Sequence, residues 1–213
     1  MSLWRRHRAS LLGIPVALAV ALLASGERIG GTWDVAGPRD PAAISTDGWA
    51  VIHGQALDGE QVRTVPLEVR LDRMHQVEGY ARTVSEEPLP VSLPAGSVMW
   101  QAQLSFRADR THPVQLCRIR VSDTEGRHYL PGLRAVENGD LDGSPCLLPD
   151  RPGPRGFGEQ PEEFEFLRER PRPLSWSRYV TFVMPADRQP ETVEVWFQFP
   201  EAAVFPVEDS SGR

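Results

Sequence analysis

The segment Asn138-Gly139-Asp140-Leu141-Asp142-Gly143 puts oxygen-bearing side chains at alternate positions, like the front half of a calcium loop. Hard cations take several oxygen ligands, and alternate side chains of a turning chain can converge to supply them. The bidentate glutamate that closes such a loop is missing, because the twelfth position from Asn138 is Pro149. A turn held by Asx hydrogen bonds accounts for the same residues. Asn138, Asp140 and Asp142 are therefore the candidate metal ligands, and weak ones.

His53, His75, His112 and His128 are scattered, with no pair at the i, i+2 or i, i+4 spacing that makes a metal site. They read as solvated loop residues. The chain has no G-x-S-x-G elbow, no H-E-x-x-H, no Walker loop and no C-x-x-C. Neither a catalytic constellation nor a cofactor is expected.

Two cysteines carry the remaining chemistry. Cys117 shares parity with Ile119 and Val121 and should face the core, while Cys146 lies near the start of a long irregular stretch. In an oxidising compartment two such thiols pair, and the bond would staple that stretch to a sheet. A buried free thiol is the alternative. Trp196 sits between Glu194 and Gln198 on the polar parity of its strand. An outward indole can mark an interaction surface, or it can lie beneath the long insertion.

The elements that position these residues follow a period of two. Val65, Leu67, Val69 and Leu71 alternate with Pro66, Glu68, Arg70 and Asp72. Val98, Trp100, Ala102, Leu104, Phe106 and Ala108 do the same, as do Val193, Val195, Phe197 and Phe199. Successive strand side chains point to opposite faces, so each run has one face to bury and one to wet. Weaker strands are expected at Trp49–His53, Val114–Ser122, Arg127–Leu130 and Tyr179–Met184. Asp123-Thr124-Glu125-Gly126 reads as a tight turn, with Gly126 free to take positive φ. About seven short strands with turns between them predict a mostly β chain, an antiparallel β-sandwich over 48–205. The Pro-, Gly- and charge-rich stretch 138–175 is a long insertion, in which 161–170 suits one or two helical turns. A disordered tail is expected over 206–213.

The N-terminus sets the address. Arg5, Arg6 and Arg8 precede Ala9–Gly26, which carries no charge. The run spans about 27 Å as a helix, enough for a bilayer core. Arginines ahead of it orient residues 1–8 to the cytoplasm and the rest outside. A single transmembrane helix over 9–26, a signal anchor, is expected; removal near Gly26, releasing a secreted protein, is the alternative. Residues 27–47, rich in Gly, Pro and Asp, read as a linker. Beyond the leader, the remaining 20 of 23 basic groups face 29 acidic ones, a net −9. Such a surface repels phosphate backbones, so nucleic acid is not an expected partner.

The run Gln101–Ala108, the hairpin from Val121 to Tyr129, Cys146 ahead of a Pro/Gly stretch, and Phe182-Val183-Met184-Pro185-Ala186-Asp187 before a last strand form a combined pattern. Over roughly residues 98–200 it resembles the immunoglobulin-like ectodomains of small bacterial membrane-anchored proteins of unknown function. The resemblance implies an Ig-like sandwich and an extracytoplasmic address, and it carries no catalytic residues. The Cys-Trp-Cys arrangement of true Ig domains is absent. The expected function is a non-catalytic, membrane-tethered interaction module whose partner is another envelope or membrane protein. Alternatives are a ligand- or ion-binding ectodomain using 138–175, or an extracytoplasmic hydrolase.

Overall fold

The computed structural model describes residues 40–58, 60–81, 83, 86–114, 117–132, 144–148, 150–151, 153–154, 171–197 and 201–207. Among them the chain forms strands and no helix. In order these are β1 (Asp40–Pro41), β2 (Ala50–Asp58), β3 (Gln61–Val77), β4 (Gly79–Tyr80), β5 (Leu89–Pro90) and β6 (Ser97–Arg107). They continue with β7 (Arg118–Asp123), β8 (His128–Tyr129), β9 (Ser175–Pro185), β10 (Pro190–Trp196) and β11 (Glu201–Pro206). Seven of these have six residues or more, and the other four have two each.

One sheet runs β2-β3-β6-β9 and is antiparallel throughout, a second runs β1-β11-β10-β7-β8, and β4 and β5 pair with each other as a separate antiparallel ribbon. Only the short β1–β11 pair is parallel. The chain thus joins a sheet at Asp40, inside the 27–47 stretch read as linker. The alternation explains the layering. Ile52, Val65, Leu67, Val69, Leu104, Phe106 and Phe182 of one sheet share a core with Ile119, Val121, Val193, Val195 and Phe205 of the other.

Strand order departs from the Ig constant-type arrangement. There the first, second, fifth and fourth strands share one sheet, and the third, sixth and seventh the other. Counting the seven long strands here, the first, second, third and fifth share a sheet, and the fourth, sixth and seventh form the other. The third and fourth strands have exchanged sheets relative to that scheme.

Local chemistry sets the strand ends. The β2–β3 pairing continues to Asp58↔Gln61, so β2 runs past His53. The β3–β6 ladder ends at Glu68↔Arg107; two residues on, the same register would set Asp109 against Pro66, which has no N–H to give, and β6 gives way to the turn Asp109–His112. Asp72 is an extra residue between Leu71 and Arg73, a bulge that shifts the register. Gly126 takes φ +77° at the turn after β7, as expected.

Cys117 and Cys146 are disulfide-bonded, with Cα atoms 6.0 Å apart, and both are buried. The Trp176 indole donates to the Cys146 carbonyl at 2.7 Å, and the Ser144 hydroxyl to the Cys117 carbonyl at 3.1 Å. The Trp176 ring also stacks on Phe106, with centroids 5.7 Å apart. The described stem of the insertion is thereby fixed to both sheets.

Two substitutions test this account. Gly54 lies on the inward face of β2, where an added Cβ would fall inside the Phe197 ring. Gly54→Ala is expected to destabilise by about 1–3 kcal/mol through overpacking, with partial recovery on adding Phe197→Leu, read by urea titration. Replacing both cysteines by alanine opens a loop with a sequence separation of 29. It should cost about 3–4 kcal/mol under the chain-entropy account; an unchanged urea midpoint would refute it.

Candidate functional site

The outward face of the four-stranded sheet carries polar side chains that hold one another. The Asp72 bulge breaks the alternation, so Asp72 and Arg73 both join the outward row. Arg70 Nε donates to Asp72 Oδ1 at 2.7 Å, and the Ser105 hydroxyl donates to Asp72 Oδ2 at 2.6 Å. Ser105 also meets the Ser177 hydroxyl at 2.9 Å. Beside this chain, Arg73 Nε donates to Gln103 Oε1 at 2.9 Å, and Arg73 Nη2 to the Tyr179 hydroxyl at 3.1 Å. Three strands thus contribute to one row.

At one end of the row two cations pack on one indole. Arg107 and Arg70 lie 3.9 and 4.8 Å from the Trp49 ring centroid, and Arg107 also reaches Glu68 at 3.6 Å. Each contact contributes about 0.5–1 kcal/mol and fixes the arginine's direction. At the other end His75 sits half-buried. Burial first, then the charge of Arg73, push its imidazole below its ordinary pKa of 6.5.

A second polar cluster lies on the other sheet. Arg120 donates to Glu194 Oε2 through Nε at 3.0 Å and Nη2 at 2.7 Å. The Ser122 hydroxyl donates to Glu194 Oε1 at 2.8 Å and lies 2.9 Å from His128 Nδ1. Serine, histidine and glutamate meet here, but in the wrong order for nucleophilic catalysis. Ser122 has one proton and Glu194 takes it, so His128 must donate to the serine oxygen instead of accepting from it. A base that cannot receive the hydroxyl proton activates nothing.

Asp123 organises the neighbouring turn. Its Oδ1 accepts the N–H groups of Glu125 and Arg127, both at 2.9 Å, and its Oδ2 accepts the Tyr129 hydroxyl at 2.8 Å. Burial opposes the carboxylate. The bonds from Arg127, Tyr129 and Glu125, with Arg188 nearby, outweigh it and hold the pKa below the ordinary 3.8. Burial and the bond to Asp123 raise the Tyr129 phenol.

The residues singled out from sequence fare differently. Asn138, Asp140 and Asp142 lie outside the described residues, as do the turns expected over 161–170. Among the described residues no three His, Cys, Asp or Glu side chains could hold a metal ion. Trp196 is only 8% exposed, with Arg120 at 5.6 Å from its ring. It therefore presents no open indole surface, despite its outward parity. Three of the four histidines lie on strands instead of in loops, and only His112 sits in a turn. His53 meets Glu201 at 2.9 Å.

Sequence reading passed over Arg172, which is 1% exposed. Its Nη2 donates to the carbonyls of Asp109 at 2.5 Å and His112 at 3.0 Å, and its guanidinium lies 4.8 Å from the Trp176 ring centroid. Desolvation lowers its pKa to about 10, against the pull of Asp109. Its contacts serve packing. The outward row itself had one faint signal, the Leu71-Asp72-Arg73-Met74 step where alternation fails.

No family model, curated protein or solved structure matches the chain. Among the described residues no helix is long and apolar enough to cross a membrane. The expected anchor at 9–26 lies outside them.

The Asp123 network makes a pH prediction. A carboxylate with a depressed folded pKa contributes stability in full above its unfolded value, and loses it as pH falls through the folded one. Parent and Asp123→Asn should therefore differ most in urea midpoint at neutral pH and converge below about pH 3.8. A constant difference across that range would refute the assignment.

Proposed function

We propose that this chain is a non-catalytic interaction module, Ig-like in its two-sheet architecture though not in strand order. The N-terminal apolar segment tethers it to the cytoplasmic membrane with the sheets outside. It docks another envelope or membrane protein on the outward face of β3, β6 and β9. One observation supports this most: seven polar side chains on that face, from Arg70 to Tyr179, are ordered by bonds to one another.

Side chains already held in place lose less entropy on binding than free ones. Arg and Tyr are the types that carry binding energy at interfaces. Arg73 is pinned by two neutral groups, Gln103 and Tyr179, and has no acidic partner among the described residues. Its charge is presented and not consumed, which suits a carboxylate on the partner. The net −9 beyond the leader argues against nucleic acid on this or any face. The Ser122–Glu194–His128 order speaks against hydrolysis at the most enzyme-like cluster.

The test is site-specific photo-crosslinking in intact membranes. A crosslinker at Ser177 should capture a defined membrane or envelope protein, whereas one at the exposed turn residue Thr124 should not. Arg73→Glu should lower the Ser177 yield about tenfold, the equivalent of about 1.4 kcal/mol. Equal capture from both positions, or none from Ser177, would sink the docking face. Recovery of the protein in the medium, shortened near Gly26, would replace the tether by secretion.

A further inference from the structure

The β2–β3 hairpin extends beyond its sheet. Among the described residues β6 pairs with β3 only from Glu68 onward, leaving Gln61–Leu67 with β2 as its one ladder partner. Gln55, Gln61, Val62, Arg63 and Thr64 are exposed, Val62 to 61%. Val62-Arg63-Thr64-Val65 is rich in β-branched residues. An open ribbon of this composition is a template for pairing with another chain.

The rung His53↔Pro66 closes that template. The His53 N–H donates to Glu201 Oε2 at 2.7 Å, so it points away from β3. In an antiparallel ladder, opposed residues whose N–H groups point outward form the non-hydrogen-bonded kind of pair. The backbone nitrogen of residue 66 therefore also points outward, on the side where a continued β6 would lie. Residue 66 is proline and has no N–H to offer. Glu201, from the first position of β11, occupies the one donor that the rung does possess, and His53 Nδ1 meets the same oxygen at 2.9 Å.

We propose that Glu201 and Pro66 together form an edge guard, which stops this arm from adding to the arm of a second copy of the chain. The guard is independent of the docking face, which uses side chains on the opposite half of β3. It also explains why a strand at the edge of one sheet is met by a carboxylate of the other instead of by a strand.

The test is sedimentation velocity on the disulfide-intact ectodomain, residues 27–213, in detergent-free buffer, with the membrane-extracted full chain run in parallel. Pro66→Thr combined with Glu201→Ala should produce a concentration-dependent increase in mass over the parent. Adding Val62→Lys to the double variant should restore the parent's mass. A double variant with the parent's mass at every concentration overturns the proposal, and so does association indifferent to Val62→Lys. If the double variant does not fold, amide exchange decides. The His53 amide should exchange at least about tenfold faster in Glu201→Ala than in Glu201→Gln, which keeps an acceptor oxygen. Equal rates would show that Glu201 guards nothing.

Discussion

A sheet with one apolar face must cover it, and this chain has two such sheets. Each of the seven long strands contributes inward apolar side chains, mostly at alternate positions, and their burial against one another is the constraint that everything else obeys. Register follows from it, because a one-residue slip would turn Val65, Leu67 and Val69 to solvent together. So does the close approach at Gly54, where the Phe197 ring occupies the space a side chain would need. The disulfide adds a covalent stitch at one end of this core and does not create it.

Once the inward faces are settled, the outward faces inherit the polar groups, and the two sheets treat them differently. On the five-stranded sheet Arg120, Glu194 and Ser122 are buried and saturate one another. Leaving any of these groups unpaired would be expensive, so they meet within one cluster. On the four-stranded sheet the bonded row stays open to solvent at Asp72 and Arg73. The bulge decides this. Were the alternation to run unbroken through Asp72, Arg73 would face inward, and Met74, now buried at 4% exposure, would face solvent.

Sequence showed the period-two runs clearly, because an alternation of Val and Leu with charge is hard to produce by any other element. β3, β6 and β10 were legible for that reason, as was the turn at Gly126. Sequence gave less warning of strand ends. Asp58-Gly59 between two alternating runs is a hairpin signal that extends β2 past His53, and Pro66 is the stop that ends β6. β11 was hard to see, since Glu-Ala-Ala-Val-Phe-Pro shows no alternation; Ala202 and Ala203 are buried on opposite faces. Trp196 left two readings open for a related reason: parity gives the direction of a side chain, not what covers it. Long-range pairs such as His53–Glu201, 148 residues apart, leave no local trace.

The same saturation bears on why no catalytic reading rises from these residues. Catalysis needs groups whose bonding capacity is unfilled until substrate arrives, and whose proton can move in the required direction. Ser122 fails the second condition, since its proton belongs to Glu194. Asp123 fails the first: three donors already fill its carboxylate and keep it ionised. Arg73 is the contrasting case, because its two partners orient the guanidinium without neutralising it. Binding asks for a charge held still and left uncompensated, and Arg73 holds such a charge on an exposed position of the sheet face.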